Sequence, residues 1–352
     1  MSGLPDWPRA LDERFSPRPP GRYREAPEDF FVDEQLDFTP QGEGEHLWLR
    51  IEKRGQTTLE VVRALGRLCE VSPRAIGYSG MKDKLAVTRQ WLSVHLPGRE
   101  APAALDERLA ALGVVVLERG RHPRKLKRGV HRTNRFRLRL RGEAVGSEAL
   151  ITRWEALCDE GVANYFGPQR FGLQGRNLDK ARAVLEKGWR KRDDRQGMLL
   201  STARSFLFNE WLGARVHDAS WALPLPGDTL MLDGTQSVFA IEAVDETLLS
   251  RARALDLHPT GPLWGIPVNG ADENGSESRT AQLDAALRAR HSALCEGLVR
   301  AGAKRHLRAL RARLTEPCLS REAHSVVLEF SLPRGSFATA VLRELITHPD
   351  FD

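Results

Sequence analysis

The sequence predicts an α/β (α+β) fold in two domains, on three observations. Stretches of period-two alternation occur at both ends of the chain, as in Leu47, Leu49 and Ile51 against Trp48 and Arg50. Stretches of helical spacing lie between them, as in Val61, Leu65 and Leu68. At 352 residues the chain is long enough for two separate cores.

The segment Met1 to Arg22 holds five prolines before Gly21 and no apolar run, so it reads as a poorly ordered lead-in and not a signal peptide. Leu47 to Ile51 is the first clear strand. Thr57 with Glu60 forms a capping box ahead of a helix through Leu68. Val87 to Leu96 reads as a strand, and Ala101 to Leu112 as a helix. In the next strand Phe136, Leu138 and Leu140 alternate with Arg135, Arg137, Arg139 and Arg141, giving one apolar and one basic face. Ser147 caps a helix running to Cys158. Beyond Asn164 the pattern is mainly helical, at Asn177–Glu186, Thr202–Val216 and Gln282–Leu314. Met231 to Gly234 reads as a hairpin turn. Val268 to Thr280, rich in Gly, Asp, Asn and Ser, reads as an exposed loop. Strand texture returns at Val326–Leu332, followed by a helix starting near Ser336.

The formal charge is +6, and its distribution is uneven. Arg119 to Gly142 contains eleven Lys/Arg and no Asp/Glu; the rest of the chain has 42 basic against 47 acidic residues. Such a concentrated run predicts contact with a polyanion. The four cysteines, Cys69, Cys158, Cys295 and Cys318, form no C-x-x-C pair, so no zinc site and no other metal is expected. Free thiols fit a cytoplasmic protein. No apolar run approaches the roughly 20 residues of a membrane helix.

The segment Gly77-Tyr78-Ser79-Gly80-Met81-Lys82-Asp83-Lys84-Leu85-Ala86-Val87-Thr88-Arg89-Gln90 sets one carboxylate between two ammonium groups, which favour its ionised form. It is no phosphate loop, because two residues separate Gly77 from Gly80 and Asp follows Lys82. It resembles the signature of the TruD family of tRNA pseudouridine synthases, roughly A-G-x-K-D-x-x-A-x-T-x-Q. Gly80, Lys82, Asp83, Ala86, Thr88 and Gln90 fall in place, and Ser79 stands where the family usually has Ala. Further matches are Pro27–Val32, Gly42–His46, Asn164–Gly172, Ala203–Ser205 and Leu332–Ile346.

The resemblance implies a pseudouridine-synthase fold, a mixed and largely antiparallel sheet flanked by helices. It implies a catalytic domain of residues 1–160 with 312–352, interrupted by a second α/β domain at 161–311. It implies isomerisation of uridine in tRNA, at uridine 13 of the D-arm, by a monomer with no cofactor. Asp83 would be the catalytic aspartate. Phe30, Lys82, Asn134, Phe136 and Phe337 match positions around the substrate, with Phe136 in a stacking role and Asn134 reading a uracil edge. Arg24 is a further candidate, for a phosphate or for Asp83. The rival expectation is a non-catalytic RNA-binding protein that uses the 119–142 stretch.

Overall fold

The computed structural model describes residues 4–192, 194, 197–267 and 278–351. The chain forms two compact units, Pro20–Gly146 with Thr315–Gly335, and Met1–Pro19 with Ser147–Leu314 and Ser336–Asp352. The expected division at 160/161 and 311/312 is one of family descent, and it returns below as a proposal.

The strands of the first unit are β1 (Phe30–Gln35), β2 (His46–Arg54), β3 (Ile76–Tyr78), β4 (Val87–His95), β5 (Val114–His122) and β6 (Thr133–Leu140). Those of the second are β7 (Val162–Ala163), β8 (Thr229–Leu232), β9 (Val238–Ala240), β10 (Leu257–Leu263), β11 (His306–Ala309) and β12 (Arg311–Ala312). The chain then returns to the first unit with β13 (Thr315–Glu322) and β14 (Ser325–Pro333). The large sheet has the order β13-β14-β6-β1-β4-β2-β5, with β3 added on β4. Only β1 and β4 run parallel; every other pair is antiparallel, so the sheet is mixed and largely antiparallel as expected.

Helix α1 (Thr58–Leu68) starts at the predicted capping box: Thr57 Oγ1 accepts from Glu60 N–H, and the Glu60 carboxylate accepts from Thr57 N–H. It buries Val61, Val62 and Leu65 against Leu49, Ile51, Leu92 and Val94. The expected helix at 101–112 contracts to α2 (Leu105–Ala110).

The second unit is built on α3 (Glu148–Glu160), α4 (Arg176–Glu186), α5 (Met198–His217), α6 (Glu246–Arg253), α7 (Arg279–Arg290), α8 (Ser292–Arg300) and α9 (Ala338–Leu345). Ser147 caps α3 as predicted, accepting from Leu150 N–H. The core surrounds α5, where Phe206, Leu207, Phe208, Trp211 and Leu212 are buried.

Three expectations need correction. The lead-in is not loose where it is described. Trp7 packs on Tyr165, Phe171 and Phe206, Leu11 is buried, and its N–H donates to Glu344. The helical reading of 282–314 stops at Arg300, after which β11 and β12 form against β10 and β7. Strand β10 carries Pro259 and Pro262, which hid it from the pattern. It tolerates them because Leu257–Pro259 pairs only with β8 and Thr260–Leu263 only with β11. Most of the expected 268–280 loop lies outside the described residues.

Candidate active site

Strands β3 and β4 form a hairpin whose eight-residue connection, 79–86, carries Asp83. Gly77 before it cannot be replaced: a Cβ there would collide with the Leu126 carbonyl and Ser93 Oγ. At the far end Val87 pairs with both Phe31 of β1 and Arg54 of β2, so the loop closes between two strand ends.

Polar side chains hold the loop in place. Thr58 Oγ1 accepts from Lys82 N–H at 2.9 Å and donates to Gln90 at 2.8 Å, and Gln90 donates to the Gly80 carbonyl. Lys53, fully buried, donates to the carbonyls of Asp83 at 2.7 Å and Gln56 at 2.6 Å. Burial pulls the Lys53 ammonium down to about 8, against the opposing pull of Asp83.

The Asp83 side chain keeps 46% of its surface exposed, so a substrate can reach it. Arg24 donates to its Oδ2 at 2.9 Å; Oδ1 has no hydrogen-bond partner among the described residues. The Arg24 guanidinium lies 4.0 Å over the Phe30 ring, and its backbone adopts a left-handed φ of 60°. A non-glycine residue there is held by its surroundings at a cost, a pattern that clusters at functional sites.

The residue before Asp83, Lys82, enters a buried polar group. Lys82 Nζ is 3.0 Å from Glu34 Oε2 and donates to Asn134 Oδ1 at 2.6 Å. Glu34 and Asn134 are cross-strand neighbours on β1 and β6, which is why one ammonium reaches both. Burial pushes the Glu34 carboxyl up, with Lys82 opposing. Ser79 Oγ accepts from His131 N–H at 2.8 Å and lies 2.6 Å from His131 Nδ1. Burial, then Lys82 and Arg334, pull the His131 imidazole down to about 4, so the ring is neutral beside Ser79.

Phe136 sits on the apolar face of β6, 5.5 Å from Phe330 and edge-on to Phe30 at 6.3 Å. It is 6% exposed, so stacking on a base requires displacing part of its present packing. Phe30, Lys82, Asn134 and Phe136 thus gather with Asp83 in one unit. Phe337 belongs to the other unit, against Phe166 at 5.6 Å. Sequence reading missed Glu34, Lys53 and His131. None stands in the signature, and each joins the site through register or burial.

The family model for tRNA pseudouridine synthase D (TruD) matches residues 16–192 and 191–345. The chain belongs to the TruD family. A tRNA pseudouridine synthase D of Chromohalobacter salexigens is 56% identical over 346 residues, covering 98% of this chain and 97% of that one. Relatives of the same description include one from Pseudomonas syringae pv. tomato, 45% identical over 91% of this chain and 89% of its own. Another, from Methylococcus capsulatus, is 43% identical over 98% and 95%. The fold resembles the crystal structure of a Methanosarcina mazei chain provisionally assigned to TruD, with a TM-score of 0.71 at 20% identity over 99% and 97% of the two chains.

The basic stretch divides in two. Its strand arginines are matched by carboxylates: Arg119 by Asp106, Arg121 by Glu100, Arg135 by Glu329, Arg137 by Glu322 and Glu329, Arg139 by Glu322 and Asp29, and Arg141 by Asp29 and Glu25. Arg124, Lys125, Lys127, Arg128 and Arg132, in the β5–β6 connection, form no ion pair among the described residues. That connection joins the Asp83 loop through Gly129 N–H to the Ser79 carbonyl and through the Ser79–His131 pair. Among the described residues no helix is long and apolar enough to cross a membrane.

Proposed function

We propose that the Asp83 site converts uridine to pseudouridine in tRNA, at uridine 13 of the D-arm. The observation that carries this reading is one exposed carboxylate held by Arg24 on Oδ2 and unpartnered on Oδ1. The reaction breaks the bond from C1′ to N1 of uracil and makes one from C1′ to C5. The C5 proton is lost and N1 gains one, so the change is an isomerisation. Asp83 Oδ1 is placed to engage the sugar, either by adding to C1′ or by taking a proton from C2′. Arg24 orients it through the hydrogen bond to Oδ2.

Lys82 fixes the Asn134 amide, which reads the uracil edge, and Phe136 offers the aromatic surface for the base, buttressed by Phe30. Phe337, in the other unit, matches a substrate-contacting position of the family by resemblance. The target nucleotide has to leave its stack to reach the loop. The five unpaired cations of 124–132 hold the RNA backbone and position it. The catalytic domain is residues 1–160 with 312–352, and 161–311 is the inserted domain. The protein works as a monomer in the cytoplasm, consistent with four free thiols.

Incubating pure protein with unmodified tRNA transcript and mapping pseudouridine tests this reading. Pseudouridine at position 13 is expected. Tight RNA binding without isomerisation would favour the non-catalytic alternative, which the unpaired loop cations also fit.

A further inference from the structure

The Asp83 loop exposes two large apolar side chains that the chemistry assigned above does not use. Met81 keeps 58% of its surface in solvent and Leu85 keeps 69%. Among the described residues these are the two most exposed large hydrophobics of the first unit. Single exposed apolar residues are ordinary on a protein surface. These two stand together, two residues before and two residues after an exposed carboxylate.

The loop does not expose them by being loose. The Lys82 N–H is bonded to Thr58, the Asp83 carbonyl to Lys53 and the Gly80 carbonyl to Gln90. The Lys82 side chain turns inward while Met81 and Asp83 turn outward, as alternate residues of extended chain do. At the other end the loop buries Ala86 completely and leaves Leu85 outside. Burying the larger side chain would remove more apolar surface from water, so packing within the protein runs against this arrangement.

The nucleotide that Asp83 engages has to leave its stack. Leu and Met are among the side chains that proteins insert between base steps to hold a stack apart. The cations of 124–132 can grip phosphates and fix the register of the RNA, which is a different task. Two residues of chain span at most about 7 Å, roughly two base steps at about 3.4 Å each. Met81 and Leu85 are therefore close enough to Asp83 to meet the bases that flank the one it engages.

We infer that Met81 and Leu85 form an apolar wedge, which enters the RNA stack beside the target uridine and holds it open while Asp83 engages the sugar. The inference rests on the reading of the Asp83 loop as the site of uridine isomerisation.

The test compares single-turnover isomerisation of one uridine in two settings, stacked in the stem of a D-arm hairpin and carried by a short unstructured strand. Met81→Ala with Leu85→Ala should slow the hairpin reaction at least about tenfold more than the single-strand reaction, because only the hairpin has a stack to open. Met81→Leu with Leu85→Met, which keeps the apolar bulk, should restore most of the hairpin rate; Met81→Gln with Leu85→Gln should not. The ratio of the two rates does not depend on the folded fraction, so a variant that loses stability still decides. A double Ala variant with the wild-type ratio overturns the wedge. If the single strand is no substrate, 2-aminopurine beside the target uridine decides in an Asp83→Asn background. Its fluorescence should rise when the hairpin binds and rise less with the double Ala variant, and equal rises overturn the wedge. Wild-type protein that isomerises neither substrate would overturn the functional reading and this inference with it. Wild-type turnover with an unchanged ratio removes the wedge alone.

Discussion

The charges of the first unit fall into two groups that look alike in the sequence and differ in the fold. Along β6 the arginines lie opposite carboxylates, with Arg137 directly across from Glu329 in the β6–β14 register. In the 79–86 and 123–132 connections the charges either reach solvent, as Asp83, Lys127 and Arg128 do, or are held for the loop's own geometry, as Lys82 is. Strand register brings distant segments into fixed opposition, so a basic strand finds its acids there. A loop charge can be partnered and still exposed, as Asp83 is with Arg24, and so stays within reach of a ligand. In this unit most strand charge is paired across the sheet, and the exposed loop charge is what the proposed function draws on.

The strongest challenge to that contrast is Asp83→Asn. It should reduce single-turnover isomerisation by about 10²–10⁴-fold or more. Melting temperature should hold and RNA affinity should stay within about tenfold, since only one charge facing the RNA changes. A folded variant that isomerises at near the wild-type rate removes Asp83 from the chemistry.

Lys53→Met probes a strand charge that serves a loop, through the Asp83 carbonyl. A misplacement of about 1 Å can cost 10²-fold. Turnover should therefore fall by about 10–100-fold while RNA affinity is unchanged, and Lys53→Arg should restore part of it. An equal fall in affinity would show that Lys53 supports the fold broadly and not the aspartate.

Reversing Lys127, Arg128 and Arg132 together to Glu should flatten the salt slope of tRNA binding by about 2 or more, at roughly 0.7–0.9 per phosphate contact. Changing Arg135, Arg137 and Arg139 to Gln should move it by less than about one contact's worth. Those three changes should instead cost modest stability, because exposed pairs contribute about 0–1 kcal/mol each. Equal slopes for the two sets would erase the distinction.

The smallest effect is one of pH. The His131 value in the fold, about 4, lies below its unfolded value near 6.5. Between the two the unfolded chain binds a proton that the folded chain does not. His131 therefore costs nothing above about pH 6.5, and stability falls as pH drops from there toward 4. Melting curves across that range should show a steeper loss for wild type than for His131→Asn. Parallel curves would mean that the imidazole is not held neutral against Ser79.

Sequence alone determined the parts that rest on local chemistry. The Thr57–Glu60 box and the Ser147 cap are written in adjacent residues, and both form. The 87–96 and 326–332 strands carry their apolar faces in plain alternation. The signature marked the Asp83 loop, and Phe30 and Asn134 were placed beside it by resemblance. Tertiary structure alone decided the rest. Strand β13 is exposed along nearly its whole length and has no apolar face to announce it, although it supplies Glu322 to the arginines of β6. Glu34, Lys53 and His131 show nothing in their own neighbourhoods. They matter because backbone pairing and burial carry them to Lys82, to the Asp83 carbonyl and to Ser79. The physical reason is that hydrogen-bonded caps and periodicity act over three or four residues. Ion pairing and desolvation depend on which distant side chains the folded sheet brings within about 4 Å.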